Sequence, residues 1–220
     1  MSSDWDFIYE FGGRHGAKES DVVSIYHDAM DYPFRKQMHQ QGPLDYQDMV
    51  FAITRILMPN FVVETGVRHG VCSSFILAAL AQNGLGQLDS CDPMWSSQEE
   101  ACRRIHELIC TPVDLFDRWS FYPMMSSTHF HDPDWLADVV MPRGVDLFVH
   151  DSDHGFGNMM WELEWALEHC NKGGVIICDD WDWQENEELE KHADGNVVRQ
   201  FCAGHRLTFS TIGTAAVIEL

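Results

Sequence analysis

The stretch Phe61-Val-Val-Glu-Thr-Gly-Val-Arg-His-Gly-Val-Cys-Ser-Ser-Phe-Ile-Leu-Ala-Ala-Leu80 constrains the fold more than any other part of the chain. It reads as a short buried strand, a turn carrying Glu64, Gly66 and Gly70, and a helix beginning near Gly70. Glycines at such a turn let the backbone approach a ligand closely, and a helix start leaves unpaired N–H groups facing the same spot. The Glu64 carboxylate at the strand end repels phosphate and suits hydroxyls or an amino group. The pattern points to a nucleoside ligand carrying a cation, not to a pyrophosphate.

The alternation continues downstream. Strands are expected at Gly86–Cys91, Trp119–Met124, Val145–His150 and Val175–Cys178, and helices at Val71–Gln82, Gln98–Ile109, Asp134–Val139, Asn158–Cys170 and Asn196–Ala203. Asn171-Lys-Gly-Gly174 is expected to cap the helix before it, since Gly supplies a left-handed cap. The last segment, Arg206–Ser210 and Thr214–Glu219 around Ile212-Gly213, reads as a hairpin. Upstream, helical spacing runs over residues 21–40, broken near Pro33, and over Leu44–Leu57, while residues 1–20 read as a loosely ordered arm. Helices alternating with short Val/Ile strands specify an α/β fold: one Rossmann-like, doubly wound sheet, mostly parallel, with helices on both faces. A C-terminal antiparallel hairpin strand and an N-terminal helical extension complete the expectation. Residues 1–43 form the extension, a lid or an interface, and residues 44–220 the main domain. Such sheets bind ligands at the carboxyl ends of their strands. Here those ends carry Glu64, Asp92, Asp151 and Asp179-Asp180.

The net charge of −21 argues against a nucleic-acid face, an anionic membrane or a polyphosphate substrate. A small neutral or cationic substrate fits better. Seven cysteines (72, 91, 102, 110, 170, 178 and 202) include no CxxC pair and leave an odd number, which reads as reduced thiols and a cytoplasmic location. The N-terminus has neither the basic nor the apolar segment of a signal peptide, and no apolar run approaches a membrane span.

At this point the residues resemble a known family. Glu64-Thr-Gly-Val-Arg-His-Gly70 resembles motif I of class I S-adenosylmethionine-dependent methyltransferases. Asp92, in Leu88-Asp-Ser-Cys-Asp-Pro93, resembles the acid that grips the ribose hydroxyls. Val145–His154 followed by Asn171–Asp180 resembles motif IV and the fifth-strand segment of the small metal-dependent O-methyltransferases of the catechol and caffeoyl-CoA type, with their bacterial sugar and natural-product relatives. The resemblance covers roughly residues 44–220. It implies that Glu64, Thr65, Gly66, Val67, Gly70, Ser73, Asp92, Ser127 and Asp151 hold S-adenosylmethionine, with Ser126 and Ser127 at the adenine. It further implies that Asp151, Asp179 and Asp180 bind a divalent cation, Mg²⁺ or else Ca²⁺. Asp151 and His154 are the implied catalytic residues, His154 standing where the family often has a basic lysine. The acceptor is then a small hydroxylated metabolite, a sugar or natural product.

Plainer roles stand beside these. Glu64, Gly66 and Gly70 also suit a simple strand-to-helix turn, Asp92 an ordinary turn residue before Pro93, and His154 a helix-start histidine bonded to Asp151 or Asp153. Asp153 and Asp180 also suit solvated loop acids, with no metal bound. Trp181 and Trp183 form either an aromatic wall over the pocket or core under a loop. Trp161, Leu163 and Trp165 have helical spacing and read as core or interface, making a homodimer an option. His129 and His131 read as structural. His150 is expected to pack or to donate a hydrogen bond. A nicotinamide oxidoreductase is disfavoured, since G-x-G-x-x-G spacing is missing. A hydroxylase-like relative of the same fold, and a non-catalytic S-adenosylmethionine-binding protein, remain alternatives.

Overall fold

Along the strands, Val62, Leu147, Val149, Val175 and Ile177 fall in one buried cluster and Val63, Phe148, Ile176 and Cys178 in another. This period of two, apolar on both sides, requires helices on both faces of the sheet. The computed structural model describes residues 3–31, 46–109, 111–181 and 196–220. Its strands are β1 Phe61–Thr65, β2 Gln87–Cys91, β3 Trp119–Tyr122, β4 Val145–His150, β5 Cys170–Cys178, β6 Phe209–Ile212 and β7 Ala215–Glu219. They form one seven-stranded sheet in the order β3-β2-β1-β4-β5-β7-β6. β1 to β5 are parallel, and β7 runs antiparallel between β5 and β6. The strand order reverses between β1 and β4, which opens a crevice above their carboxyl ends.

One face carries α1 Ser3–Arg14, α2 Glu19–Asp31, α3 Tyr46–Leu57, α4 Val71–Asn83 and α5 Gln98–Ile109. The other carries α6 Phe156–His169 and α7 Val197–His205, together with an aromatic column around Phe130, Trp135 and Trp165. Cys72 to Leu80 of α4 are all buried, as expected of a helix apolar on every side and covered by a neighbour.

Several expectations are corrected. Residues 1–20 do not form a loose arm: Trp5, Ile8 and Phe11 of α1 are buried in the same cluster as Met49 to Ile53 of α3. Arg14 and His15 also pair with Glu219 on β7, at 2.7 and 3.1 Å. Residues 32–45, including the end of the helix expected over 21–40, lie outside the described residues. Asn171–Gly174 does not cap a helix. α6 ends at His169, Cys170 turns extended, and the chain enters β5 at once, with Cys170 paired to Val145 across a register shift. Asn171 is held there by its side-chain bonds to Asp146 and Arg143. The expected helix over Asp134–Val139 becomes Pro133–Trp135, a π-helical turn Leu136–Val140 and Met141–Arg143. No helix among the described residues is long and apolar enough to cross a membrane.

Candidate cofactor-binding and active site

Gly66 has φ +81°, and a Cβ there would collide with the Asp151 carbonyl. Gly70 has φ +73°, and a Cβ would strike the Ile105 side chain. Both glycines are therefore required by close approach within the chain as well as by a left-handed turn. Packing of the β1 turn against the β4 loop is reinforced by the Asp151 N–H, which donates to Thr65 at 2.9 Å.

Asp92 organises this turn. Its Oδ2 accepts the N–H groups of Val67 and Arg68 at 2.7 and 2.8 Å, and its Oδ1 that of Met94 at 2.6 Å. A carboxylate offers about four acceptor positions, so one remains for a ligand hydroxyl. A cavity of about 280 Å³ opens beside it, lined by Gly66, Cys91, Asp92, Pro93, Met125, Ser126, Asp151, Ser152, Asp153 and Asn158. These residues follow the carboxyl ends of β1 to β4, at the point where the strand order reverses.

Of the residues expected at the cofactor, Gly66, Asp92 and Asp151 line this cavity. Thr65, Val67, Gly70 and Ser73 belong to the β1–α4 turn and its flanks and are not among the lining residues. Glu64 is fully buried: its Oε2 accepts from Ser73 and Ser90, both at 2.7 Å, and its Oε1 has no partner among the described residues. Burial pushes its carboxyl up to about 7, against the pull of the two serine hydroxyls. Ser126 lines the cavity; Ser127 is exposed, its carbonyl engaged by His131.

The aspartates after β4 and β5 share an electrostatic problem. Burial, then the charges of Asp179, Glu64 and Asp180, raise the Asp151 carboxyl to about 9. Burial likewise raises Asp179 to about 6. Asp180, with φ +44°, lies 3.7 Å from the Nε2 of His154. Among the described residues, no three acidic, histidine or cysteine side chains are drawn together as a metal centre. The oxygen-only donors and their mutual repulsion fit a hard cation, while their present spacing does not yet enclose one.

Two groups here escaped the sequence reading. Tyr46, buried at the start of α3, lies in the field of Asp151 and Asp179; burial first, then Cys72 and these acids, raises its phenol. Cys72 donates to its hydroxyl at 3.8 Å. Glu162 on α6 is fully buried and collects five donors. Its Oε2 accepts from Thr65 and from Nδ1 of His150, both at 2.6 Å. Its Oε1 accepts from Ser126, from Ser152 at 2.9 Å and from Asn158 at 3.1 Å. Burial alone would raise this carboxyl, but the His150 bond and charge and the hydroxyls of Ser126 and Thr65 hold it below the usual range. The signal was present: Glu162 falls on the stripe of Met159, Leu163 and Ala166, where an acid needs partners.

Trp181 is seated in the fold, its backbone N–H donating to the Thr214 carbonyl and its ring 5.6 Å from Phe209, with the Arg199 guanidinium 5.3 Å from the ring. Trp183 lies outside the described residues.

A family model described as a methyltransferase domain matches residues 63–181. No curated protein matches the chain. Among solved structures, the O-methyltransferase of Bacillus cereus in complex with SAH is similar, with 16% identity, TM-score 0.57 and 92% of each chain covered. The O-methyltransferase TomG of Streptomyces achromogenes, involved in tomaymycin synthesis and solved with SAM, gives 17% identity and TM-score 0.56, covering 100% of this chain and 99% of that one. MycE of the mycinamycin biosynthetic pathway, solved with Mg and SAH, gives 16% identity and TM-score 0.55, covering 86% of this chain and 54% of that one. With a family match over more than half of its 220 residues and a sheet order to go with it, the chain belongs to the methyltransferase-domain family and is a class I S-adenosylmethionine-dependent methyltransferase.

Proposed function

We propose that this chain moves the methyl group of S-adenosylmethionine onto a hydroxyl of a small metabolite, a sugar or natural product, assisted by Mg²⁺ or, failing that, Ca²⁺. The observation that carries this reading is the cavity lined by Gly66, Asp92 and Asp151 at the reversal of strand order, with the Asp151, Asp179 and Asp180 acids beside it. Two solved O-methyltransferases of similar fold hold SAH and SAM, and a methyltransferase of similar fold holds Mg and SAH, which supports the assignment.

The sulfonium supplies an electrophilic methyl. A bond forms from acceptor oxygen to methyl carbon as the carbon–sulfur bond breaks, and the hydroxyl proton departs to a base. Such an in-line displacement gains most from positioning and exclusion of water. Asp92 keeps the turn closed under the nucleoside and offers its last acceptor position to a ribose hydroxyl. Glu64, buried behind the turn, holds Ser73 and Ser90 in place beneath the nucleoside. His154, whose Nε2 lies 3.7 Å from Asp180, takes the proton on an imidazole nitrogen. Asp151, Asp179 and Asp180 would hold a divalent cation, whose charge would offset the burial and the repulsion that raise Asp151. The acidic surface keeps anionic acceptors and nucleic acid away.

The test is a thermal-shift comparison of S-adenosylhomocysteine with NAD. At about one hundred times its Kd, the first is expected to stabilise the fold by about 2.7 kcal/mol. A shift with NAD and none with S-adenosylhomocysteine overturns the assignment.

A further inference from the structure

Glu162 is placed where an apolar residue would serve packing as well. It lies on the buried stripe of α6 with Met159, Leu163 and Ala166, and a carboxylate there loses its hydration, which costs several kcal/mol unless partners replace it. The partners it has recruited are not random. Oε2 is held from the sheet, by Thr65 at the end of β1 and His150 at the end of β4. Oε1 faces the other way and is shared by Ser126, Ser152 and Asn158. All three of these last residues line the cavity that also contains Gly66, Asp92 and Asp151. They come from three separate segments: the turn after β3, the loop after β4 and the first turn of α6. Asn158 also donates to the Ser152 hydroxyl at 3.1 Å and to the Asp153 carbonyl at 3.0 Å, so the wall is bonded within itself as well as to Glu162.

We propose that Glu162 is a positioning residue for the cofactor: one carboxylate oxygen is anchored to the strand ends, and the other fixes the cavity wall made by Ser126, Ser152 and Asn158. This rests on the reading of that cavity as the S-adenosylmethionine site. Its two oxygens do different work, so the chemistry of the substitution matters. Glutamine has the same shape but turns one acceptor into an NH₂ donor, which must then face either the strand-side donors or the wall donors. The wall loses its acceptor or the anchor does, and either change loosens the cavity.

The experiment is titration calorimetry of S-adenosylhomocysteine on the full chain, with thermal melting measured in parallel. Glu162→Gln is expected to weaken binding at least tenfold, and Glu162→Asp, which keeps both acceptors on a shorter stem, to recover part of that loss. Thr65→Val removes one strand-side donor, keeps the side-chain shape and lies outside the cavity lining; it is expected to weaken binding severalfold and carries the test if Glu162→Gln does not fold. Variants that melt earlier yet bind within twofold of the unsubstituted chain overturn the proposal and leave Glu162 a purely structural residue. Failure of the unsubstituted chain to bind S-adenosylhomocysteine overturns the reading of the cavity itself, and this proposal with it.

Discussion

Gly66 and Gly84 share a left-handed backbone, at φ +81° and +72°, but only Gly66 has another backbone against the place a Cβ would occupy. Alanine at Gly84 meets open space and should cost only the left-handed strain, about 1–2 kcal/mol. Alanine at Gly66 must also displace Asp151 and Ser152, and a loss above about 4 kcal/mol is expected, measured by urea denaturation of the two variants. Asp151 gives a second expectation. Its carboxyl is raised far above the unfolded value, so the fold favours its protonated form. That contribution is complete below about pH 3.9 and is lost as pH rises through about 9. A cation among the aspartates removes the penalty, so Mg²⁺ is expected to raise the melting temperature more at pH 8 than at pH 5. Asp151→Asn should reduce that difference and leave the share due to Asp179, whose carboxyl is raised to about 6. At this scale the residue types of the site were legible and their partners were not. Glu64, Asp92 and Asp151 stand out in sequence, but that Ser73 and Ser90 engage Glu64, or that Asp92 spends two acceptor positions on the distant Val67-Arg68 turn, depends on segments folding together.

Among elements, the short connection after β3 has the most testable chemistry. His129 is buried with its ring 3.9 Å from Tyr122 and 3.9 Å from Trp135, and neither ring nitrogen has a partner among the described residues. Burial pushes its imidazole down to about 4, against the pull of Asp132. A histidine whose folded value is depressed stabilises the fold above its unfolded value, near 6.5, and loses that contribution as pH falls toward 4. The span corresponds to about 3 kcal/mol. Denaturation at pH 7.5, 5.5 and 4 should show this slope, and His129→Phe should flatten the share due to His129. The reading of His129 as structural agrees with this setting. α1 carries a further expectation: Phe11 is fully buried, so Phe11→Ala should cost about 3–5 kcal/mol, whereas truncating a loose arm would cost little. The sequence reading missed α1 because glycines at 12 and 13 argue locally against a helix; packing of Trp5, Ile8 and Phe11 on α3 outweighs that propensity. The run Asn171–Gly174 misled in the opposite sense, since its glycines suggested a cap where pairing with β4 and β7 continues the strand.

Over the whole molecule, a net charge of −21 on 220 residues makes the folded chain repel itself. Because that repulsion acts between exposed groups, it is screened within about 10 Å at 0.1 M salt. Raising NaCl from near zero to about 0.15 M is therefore expected to raise the melting temperature, the reverse of a fold held by surface ion pairs. The same charge shapes what reaches the crevice, which lies at strand ends already rich in carboxylates.

The alternation of strands and helices from residue 44 onward and the acids at successive strand ends were determined by the sequence alone, whereas the place where the strand order reverses was not. Periodicity and turn chemistry are local, and the right-handed crossover leaves few ways to assemble them. Only the tertiary structure decided which groups meet. Five donors converge on Glu162 from four stretches of chain because burial leaves a carboxylate no water to bond, a demand that spacing along the chain does not display.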